Sequence, residues 1–478
     1  MKRLTLIVVS LFCAVIMAMA QKAFVYTTTG SERWTTSKVT VAPSPLEKGV
    51  GGEVITIYPD SILQDVEGFG GTFSERGWDA MQVLSPEQRL SLMKEFFGQD
   101  GINFAWGRTP VGGNDLSLST YTYNDVDYDW EQRNFSIARD RYILLPMIKL
   151  AKQVRPDIKM WASPWTPPYW MKISEHYSLK SHGINGTDVG HNRMDPHFWV
   201  YPNVTSFKMT DGCLRSYAIY LSKYLQAYKA EGVNIDVLMP QNEVQWEPCW
   251  QCCTWRPQDL AIFVGKYLGP LLEQDSITDT DLWLGTVNYP NPKWVFDFVE
   301  DKTAMKYIKG IGMQWTGMTA MPKVHEKYPD IRLMQTEGIC GDGDNDWNDM
   351  EKSWERMVHC FNSGAGVYMQ WNMVLGNNLE SLFQWKQNAL VIVDRKTGAL
   401  TRTPEYYLMK HFSLFVQPGS KFIRSTDTKN TVAFINQDGK FVVEVYNPDE
   451  AQKSVALNIG DKTVSLRLKA KSLNTVVL

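Results

Sequence analysis

Apolar, strand-like runs alternate with helical patterns along most of this chain. Residues 86–97, 138–154 and 214–230 have the periodicity of helices that bury one face. A strand followed by a helix, repeated eight times, predicts an α/β fold of the (β/α)8 TIM-barrel type. The eight candidate strands are 66–73, 102–109, 158–163, 235–243, 281–287, 310–315, 331–337 and 366–372.

The last part of the chain has a different pattern, with short alternating runs separated by turn signals such as Asp438-Gly439 and Asn447-Pro448. These runs are 431–435, 441–446, 455–459, 463–468 and 475–478. The segment 21–63 is also rich in strand-forming residues, so we expect it to join the same β-module. The predicted organisation is a barrel at 64–415 beside a β-sandwich built from 21–63 and 416–478.

The first twenty residues have the pattern of a secretory signal peptide. Lys2 and Arg3 precede an apolar stretch that ends in Ala18-Met19-Ala20. Cleavage near Ala20 would leave Gln21 as the mature start, in a secreted or periplasmic protein. No other apolar stretch is long enough to cross a bilayer, so stable membrane insertion is not expected.

Charge and aromatic content narrow the choice of partner. With 49 basic and 52 acidic residues the formal net charge is -3, which gives no broad basic field for nucleic acid. The chain carries 18 Trp, 21 Tyr and 20 Phe, and many Trp stand beside polar strand ends. Such rings offer faces for sugar C–H groups, although most could equally fill the core. The oligomeric state is left open by the sequence.

Six of the seven cysteines follow the signal segment, and in an oxidising compartment some are expected to form disulfides. The cluster at 249–253 lacks a second knuckle and convenient histidines for zinc, which favours a local disulfide, with free thiols as the alternative. The loop 175–211 carries four histidines that could bind a metal or simply make the loop polar. We expect neither a metal nor a cofactor. The residues concerned are Cys213, Cys249, Cys252, Cys253, Cys340 and Cys360, and His176, His182, His191 and His197.

Two glutamates, Glu243 and Glu337, each end an apolar run. The carboxyl ends of parallel barrel strands open onto the active-site face, where an acidic side chain suggests chemistry. Two carboxylates are the apparatus of glycoside hydrolysis, retaining when about 5 to 5.5 Å apart and inverting when wider. Asn242 could hold a sugar 2-hydroxyl beside the first acid. The alternative is that each glutamate is an ordinary strand-end residue paired with Arg or Lys.

Five motifs stand out along the chain: GFGGTFS at 68–74, SPWTPPYWMK at 163–172, QNE at 241–243, TE at 336–337 and WKQN at 385–388. They occur in the order seen in glycoside hydrolase family 30, and the sequence resembles the glucosylceramidase and β-1,6-glucanase branches of that family over nearly the whole chain. The resemblance implies a barrel with a side β-sandwich, a retaining mechanism without a cofactor, Glu243 as acid/base and Glu337 as nucleophile.

The same resemblance implies a set of residues that bind the non-reducing sugar: Arg108, Asp115, Trp165, Asn242, Trp315 and Trp371. Arginine and aspartate can hold hydroxyls through charge-assisted bonds, and tryptophans supply stacking faces. Arg108 could instead form a structural ion pair below the barrel mouth. Asp115 could instead cap the turn at 112–115.

The chain departs from the family pattern at two places. Relatives usually have His-Trp-Tyr where this chain has Gln314-Trp315-Thr316, and a proline where it has Val244. Losing the histidine and tyrosine removes a potential contact to Glu337, so specificity, rate or competence could differ.

The sequence therefore predicts an exported retaining hydrolase of β-glucosidic links in a glycan or glycoconjugate. A catalytically impaired glycan-binding protein and a β-glycosidase for another sugar, such as xylose or fucose, are the alternatives.

Overall fold

The structure is a computed structural model that describes residues 21–43, 52–181, 192, 194–195 and 204–478. The predicted signal segment 1–20 and three of the loop histidines, His182, His191 and His197, lie outside the described residues.

The described residues form twenty strands and eleven α-helices. The strands are β1 (Lys22–Thr29), β2 (Thr35–Pro43), β3 (Glu53–Val66), β4 (Gly68–Thr72), β5 (Trp106–Val111), β6 (Lys159–Pro164), β7 (Val237–Leu238), β8 (Asp281–Val287), β9 (Ile308–Met313), β10 (Arg332–Gln335), β11 (Ala365–Asn372), β12 (Val374–Gly376), β13 (Val391–Val393), β14 (Leu400–Arg402), β15 (Ser420–Ser425), β16 (Thr431–Ile435), β17 (Phe441–Asn447), β18 (Lys453–Ile459), β19 (Lys462–Leu468) and β20 (Ser472–Val477). The helices are α1 (Glu75–Ala80), α2 (Pro86–Phe97), α3 (Leu144–Val154), α4 (Asp211–Ala230), α5 (Pro257–Phe263), α6 (Gly269–Gln274), α7 (Lys293–Val299), α8 (Lys302–Met305), α9 (Gly317–Lys327), α10 (Trp347–Asn362) and α11 (Pro404–Phe415).

Eight parallel strands, β4 to β11, close into a barrel in chain order, with β11 paired to β4. The predicted TIM barrel is confirmed. Large side chains from different strands, including Trp106, Trp161 and Trp283, pack together in a cluster separate from the one that contacts the helices. Glycine makes room for them, since a Cβ atom at Gly310 would lie 2.5 Å from the Trp283 ring. The interior is therefore a packed core, and the open space lies at the strand ends.

Local sequence sets the helix starts. Helix α2 begins as predicted at Pro86, where the N-cap residue Ser85 and Gln88 in the first turn form a capping box. Helix α3 begins later than the predicted residue 138, because the preceding residues form turns in which Asp140 accepts hydrogen bonds from Tyr121, Tyr123 and Tyr228.

The fourth barrel strand is shorter than the predicted run 235–243. Strand β7 ends at Leu238, and Pro240, which has no N–H to donate, follows in a loop. Glu243 has a φ of 50°, in the left-handed region that β-strands do not use. Strand β10 likewise ends at Gln335, before Glu337. Both glutamates therefore lie in the loops beyond their strands.

A second closed sheet joins both ends of the described chain, in the order β1, β2, β19, β18, β3, β15, β16, β17 and β20. The predicted contribution of the N-terminal strands to the β-sandwich is confirmed. Strand β15 has no counterpart among the predicted runs. The core of this sheet is aliphatic and includes Val25, Ile55, Ile423, Val443 and Leu457.

Helix α11 connects the barrel to the sandwich. The ring of Phe412 on this helix contacts those of Phe361 and Phe434. His411 is fully buried, with Nδ1 2.7 Å from Thr475 Oγ1 and Nε2 2.9 Å from Thr28 Oγ1. Because these threonines lie on β20 and β1, one helix is bonded to both ends of the described chain.

Candidate active site

A cavity of about 650 Å³ opens at the carboxyl ends of the barrel strands, and both Glu243 and Glu337 line it. A groove of about 750 Å³ also runs along the sandwich at 56–61 and 424–426, but Asp60 is the one carboxylate in its wall. The cavity at the barrel mouth is therefore the site whose chemistry fits a pair of acids. Its wall also includes Asp115, Trp165, Asn242, Trp246, Trp315 and Trp385.

Glu337 is held by a set of hydrogen-bond donors. Arg108 Nη1 lies 2.6 Å from its Oε2 atom, and Gln314 Nε2 lies 3.1 Å from the same oxygen. Trp315 Nε1 donates to the other oxygen, Oε1, over 2.9 Å. A guanidinium, an amide and an indole N–H all stabilise the charged carboxylate. These contacts hold both oxygens of Glu337 in fixed positions.

Glu243 has a different environment. Its backbone N–H donates to Thr286 Oγ1 over 2.9 Å, and its Oε1 atom accepts from Asn288 Nδ2 over 2.8 Å. Burial raises the pKa of Glu243, and the negative charge of Glu337 raises it further, while the Asn288 donor opposes both effects. Glu243 therefore holds a proton at pH values where an exposed glutamate is ionised.

Arg108 lies behind Glu337 rather than in the cavity wall. Its side chain is fully buried, and its Nη2 atom donates to Asn242 Oδ1 over 2.6 Å. Asn242 Oδ1 also accepts from Thr286 Oγ1 over 3.0 Å. With its oxygen engaged, the Asn242 amide has its N–H groups left as donors at the cavity. The two residues, both predicted to bind sugar, therefore have different positions. Arg108 is the ion-pair partner of Glu337, and Asn242 remains a candidate sugar contact.

Two of the three predicted tryptophans, Trp165 and Trp371, surround the guanidinium of Arg108 together with Trp161, which was not predicted. The Cζ atom of Arg108 lies 4.5 Å from the ring centre of Trp161, 4.6 Å from Trp165 and 5.0 Å from Trp371. Trp165 and Trp371 are themselves 5.8 Å apart. Trp165 lines the cavity, whereas Trp371 does not and is buried. The rings exclude water around the Arg108–Glu337 pair, which strengthens that pair.

Asp115 lines the same cavity and is linked through Gln387 to the end of the last barrel strand. Its Oδ2 atom accepts from Gln387 Nε2 over 2.9 Å. Gln387 Oε1 in turn accepts from Trp371 Nε1 and Asn372 Nδ2. Burial raises the pKa of Asp115 to about 6. A turn residue alone would not be buried against a second loop in this way, so Asp115 is a wall residue of the cavity.

The expected loss of contacts at the end of the sixth strand is seen in part: Gln314 keeps a contact to Glu337, while Thr316 makes no bond to Glu337 among the described residues. Gln314 and Trp315 both donate to Glu337, and Thr336 Oγ1 fixes the Gln314 amide through its Oε1 atom at 2.8 Å. Thr316 contacts a different residue, Asn288, which leads to Glu243.

Sequence reasoning missed several side chains that hold the site together. Thr286 lies at the carboxyl end of the fifth barrel strand, Asn288 comes directly after that strand, and Gln387 belongs to a loop after the eighth. The signal that could have found the first two is their position, since each is a polar residue at the carboxyl end of an apolar run. Gln387 has no such signal beyond its place in the WKQN motif.

The predicted disulfide after Glu243 is wrong, because the six cysteines of the described chain are buried free thiols. Cys252 and Cys253 turn to different partners: Cys252 Sγ contacts the Pro248 carbonyl at 3.5 Å, and Cys253 Sγ contacts Ser206 Oγ at 3.3 Å. Cys340 Sγ lies 3.9 Å from Glu337 Oε1.

Neither a metal centre nor a membrane span is found in the parts of the chain that the structure describes. Within those ranges, no group of three or more His, Cys, Asp and Glu side chains could hold a metal ion. His176 uses both ring nitrogens locally, with Asn192 and Ser178. None of the described helices is long and apolar enough to cross a bilayer.

Comparison with known proteins gives relatives over most of the chain. The chain is 27% identical over 449 residues to the lysosomal acid glucosylceramidase of Mus musculus, covering 86% of this chain and 80% of that protein. It is 24% identical over 445 residues to the endo-1,6-beta-D-glucanase neg1 of Aspergillus fumigatus, covering 87% and 85%. The solved endo-beta1,6-glucanase BT3312 superposes with a TM-score of 0.78 at 24% identity, covering 95% of this chain and 98% of that one.

Two family models divide nearly the whole described chain between them. Residues 66–198 and 203–416 match the glycosyl hydrolase family 30 TIM-barrel domain, and residues 419–476 match the glycosyl hydrolase family 30 beta sandwich domain. Homologues that are glycosidases, together with a cavity that has Glu243 and Glu337 in its wall, identify the chain as a glycoside hydrolase. The chain belongs to glycosyl hydrolase family 30.

Proposed function

We propose that this protein is an exported retaining hydrolase of β-glucosidic linkages, with Glu243 as general acid and then general base and Glu337 as nucleophile. The observation that carries the proposal is the unlike environment of the two acids at one cavity. Glu337 is bonded to Arg108, Gln314 and Trp315, whereas Glu243 has a raised pKa and accepts from the Asn288 amide, with the Gln314 amide also acting on it as a donor. Two carboxyl groups that lie in unlike environments at one site can divide the acid and nucleophile roles.

In the first step a Glu337 oxygen attacks the anomeric carbon as the bond to the leaving oxygen breaks. The electron pair of that bond stays with the leaving oxygen, which takes the proton of Glu243. In the second step the ionised Glu243 removes a proton from water, the water oxygen bonds to the anomeric carbon, and Glu337 is released. The Asn242 amide is placed to hold the 2-hydroxyl group, a contact that strengthens in the transition state.

The relatives and the cavity wall both bear on the class of substrate. One relative is a glucosylceramidase and another an endo-1,6-β-glucanase, which favours a β-linked glucose unit in a glycolipid or a glucan. Near Glu243 the wall includes Trp246, which is 47% exposed, together with Tyr289 and Pro290. Exposed rings beside the acid offer a stacking surface for the leaving group.

Hydrolysis of a panel of aryl β-glycosides and β-1,6- and β-1,3-linked glucans tests the proposal. We expect activity on β-glucosides that Glu337→Ala abolishes and that azide or formate partly restores, because a small anion can occupy the place of the lost carboxylate. Glu243→Ala should spare substrates with good leaving groups more than poor ones, because only poor ones need the proton.

Equal losses on both leaving groups would show that Glu243 is not the acid. Undiminished activity of Glu337→Ala would show that Glu337 is not the nucleophile. Binding of glycans by the folded wild type without hydrolysis of any panel member would favour a catalytically impaired binding protein. Activity on xylosides or fucosides alone would show that the enzyme acts on xylose or fucose rather than on glucose.

A further inference from the structure

Thr316 and Asn288 form a short chain of hydrogen bonds that ends on Glu243. We propose that Thr316 is a positioning residue, which orients the Asn288 amide and through it the carboxyl group that donates the proton. The inference rests on the proposed role of Glu243 as acid/base. It concerns a residue at which this chain departs from the family pattern.

The contacts define which way the Asn288 amide points. Its Oδ1 atom accepts from Thr316 N over 3.0 Å and from Thr316 Oγ1 over 2.7 Å, while its Nδ2 atom donates to Glu243 Oε1 over 2.8 Å. Turning the amide over would set its NH2 group against the Thr316 N–H, would break the bond that the Thr316 hydroxyl donates, and would set its oxygen against a carboxyl oxygen. Amide orientation follows from such a network, so the two Thr316 donors select the orientation that serves Glu243.

Among the described residues, the Thr316 hydroxyl makes no bond other than the one to Asn288. Thr316 stands at the start of helix α9, where a threonine side chain commonly caps the first turn, but its backbone is already helical and its side chain makes no capping bond. The hydroxyl is therefore committed to Asn288. Its removal should affect Glu243 more than the helix.

Holding one carboxyl oxygen matters because Glu243 has two. With Oε1 bonded to Asn288, the other oxygen is left to carry the proton toward the leaving group. The charged groups that act on Glu243 are Glu337, Asp115 and Arg108. In the described residues none of them bonds to Oε1, which accepts from Asn288. The Gln314 amide also acts on the Glu243 carboxyl group as a donor, but the chain from Thr316 ends on Oε1.

The test compares Thr316→Val, which keeps the shape and the backbone N–H but removes the hydroxyl, with Thr316→Ser, which keeps the hydroxyl. For a β-glucoside with a poor leaving group we expect kcat of Thr316→Val to fall about tenfold, the effect of one hydrogen bond. The loss should be smaller for an activated aryl β-glucoside, and Thr316→Ser should recover most of the activity. Unchanged thermal melts would confirm that each variant is folded.

The pH profile and a double variant distinguish the positioning of Glu243 by Thr316 from a purely structural role of Thr316. The Asn288 donor lowers the pKa of Glu243, so its misorientation in Thr316→Val should move the alkaline limb of kcat/KM to higher pH. Asn288→Ala should have the same effect, and the double variant should lose no more than Asn288→Ala alone.

Multiplied losses in the double variant, or a Thr316→Val enzyme that matches wild type on both substrates, would overturn the positioning role. Either result would leave the proposed function standing, provided Glu243→Ala still discriminates between leaving groups. If Glu243→Ala fails that test, the proposed function itself is wrong.

Discussion

At the residue scale, the two acids of the cavity depend on neighbours that differ in charge. Glu337 has a fully buried arginine beside it, and Glu243 has none. A buried ion pair is weak support for stability in itself, but removing one partner leaves an uncompensated charge. Arg108 is therefore the side chain whose loss should affect folding and turnover together.

Replacing Arg108 with methionine should destabilise the fold by about 3 to 5 kcal/mol, because Glu337 would remain as an unpaired buried charge. Turnover should fall as well, since Asn242 also loses its Arg108 contact. Thermal unfolding and steady-state kinetics measure the two effects. Arg108→Lys is the matched control, which keeps the charge but not the two-pronged geometry and should lie between wild type and Arg108→Met. Wild-type stability in Arg108→Met would contradict this account.

The sequence predicts the residues of the site better than it predicts their contacts. Glu243, Glu337, Asp115, Trp165, Asn242 and Trp315 all line the one cavity, because each follows a barrel strand in the chain. Arg108 and Trp371 were expected to touch sugar, yet both lie behind the wall. Which side of a loop faces solvent depends on packing between distant strands, and no local pattern records it.

At the scale of elements, helix α11 holds a titratable group between the barrel and the sandwich. Burial lowers the pKa of His411 to about 3, so the imidazole is neutral in the fold at pH values where an exposed histidine is charged. The unfolded chain then binds more protons than the folded one between about pH 6.5 and this lowered pKa. Stability should therefore fall as the pH drops through that range.

Replacing His411 with glutamine should make the loss of stability on acidification shallower below about pH 6.5. At neutral pH the variant should be no more stable than wild type, because two bonds to Thr475 and Thr28 are changed. Denaturant unfolding at a series of pH values measures both. A variant with the same slope as wild type would show that His411 does not carry the pH dependence.

The elements themselves follow closely from periodicity, with informative exceptions. Helix α2 and strand β16 have their predicted bounds, since caps and turn residues mark both ends. Strand β7 is much shorter than its apolar run, because Pro240 and the left-handed backbone of Glu243 turn the chain into the cavity. A continuous apolar run indicates that its residues are buried, but it does not show at which residue the strand ends.

At the scale of the whole molecule, we propose that 21–63 and 416–478 form one domain and 64–415 the other. Strands from both ends of the described chain close one sheet, and the aromatic face of α11 packs against it. A chain that ends at residue 415 would lose six of the nine strands of that sheet, β15 to β20, and expose Phe412.

We expect this truncated chain to aggregate or to unfold without a cooperative transition, whereas the full chain unfolds cooperatively. Solubility and circular-dichroism melts of the two chains measure the difference. A soluble, active barrel from the truncated chain would show that the barrel folds on its own.

The central claim is that Glu337 forms a covalent bond to the sugar while Glu243 supplies the proton. The most direct measurement is peptide mass spectrometry of the enzyme after reaction with an activated 2-deoxy-2-fluoro-β-glucoside, which slows release of a glycosyl-enzyme. The account predicts one sugar per chain, attached to Glu337, and no label in Glu337→Ala. A label on Glu243 or on any other residue would contradict it.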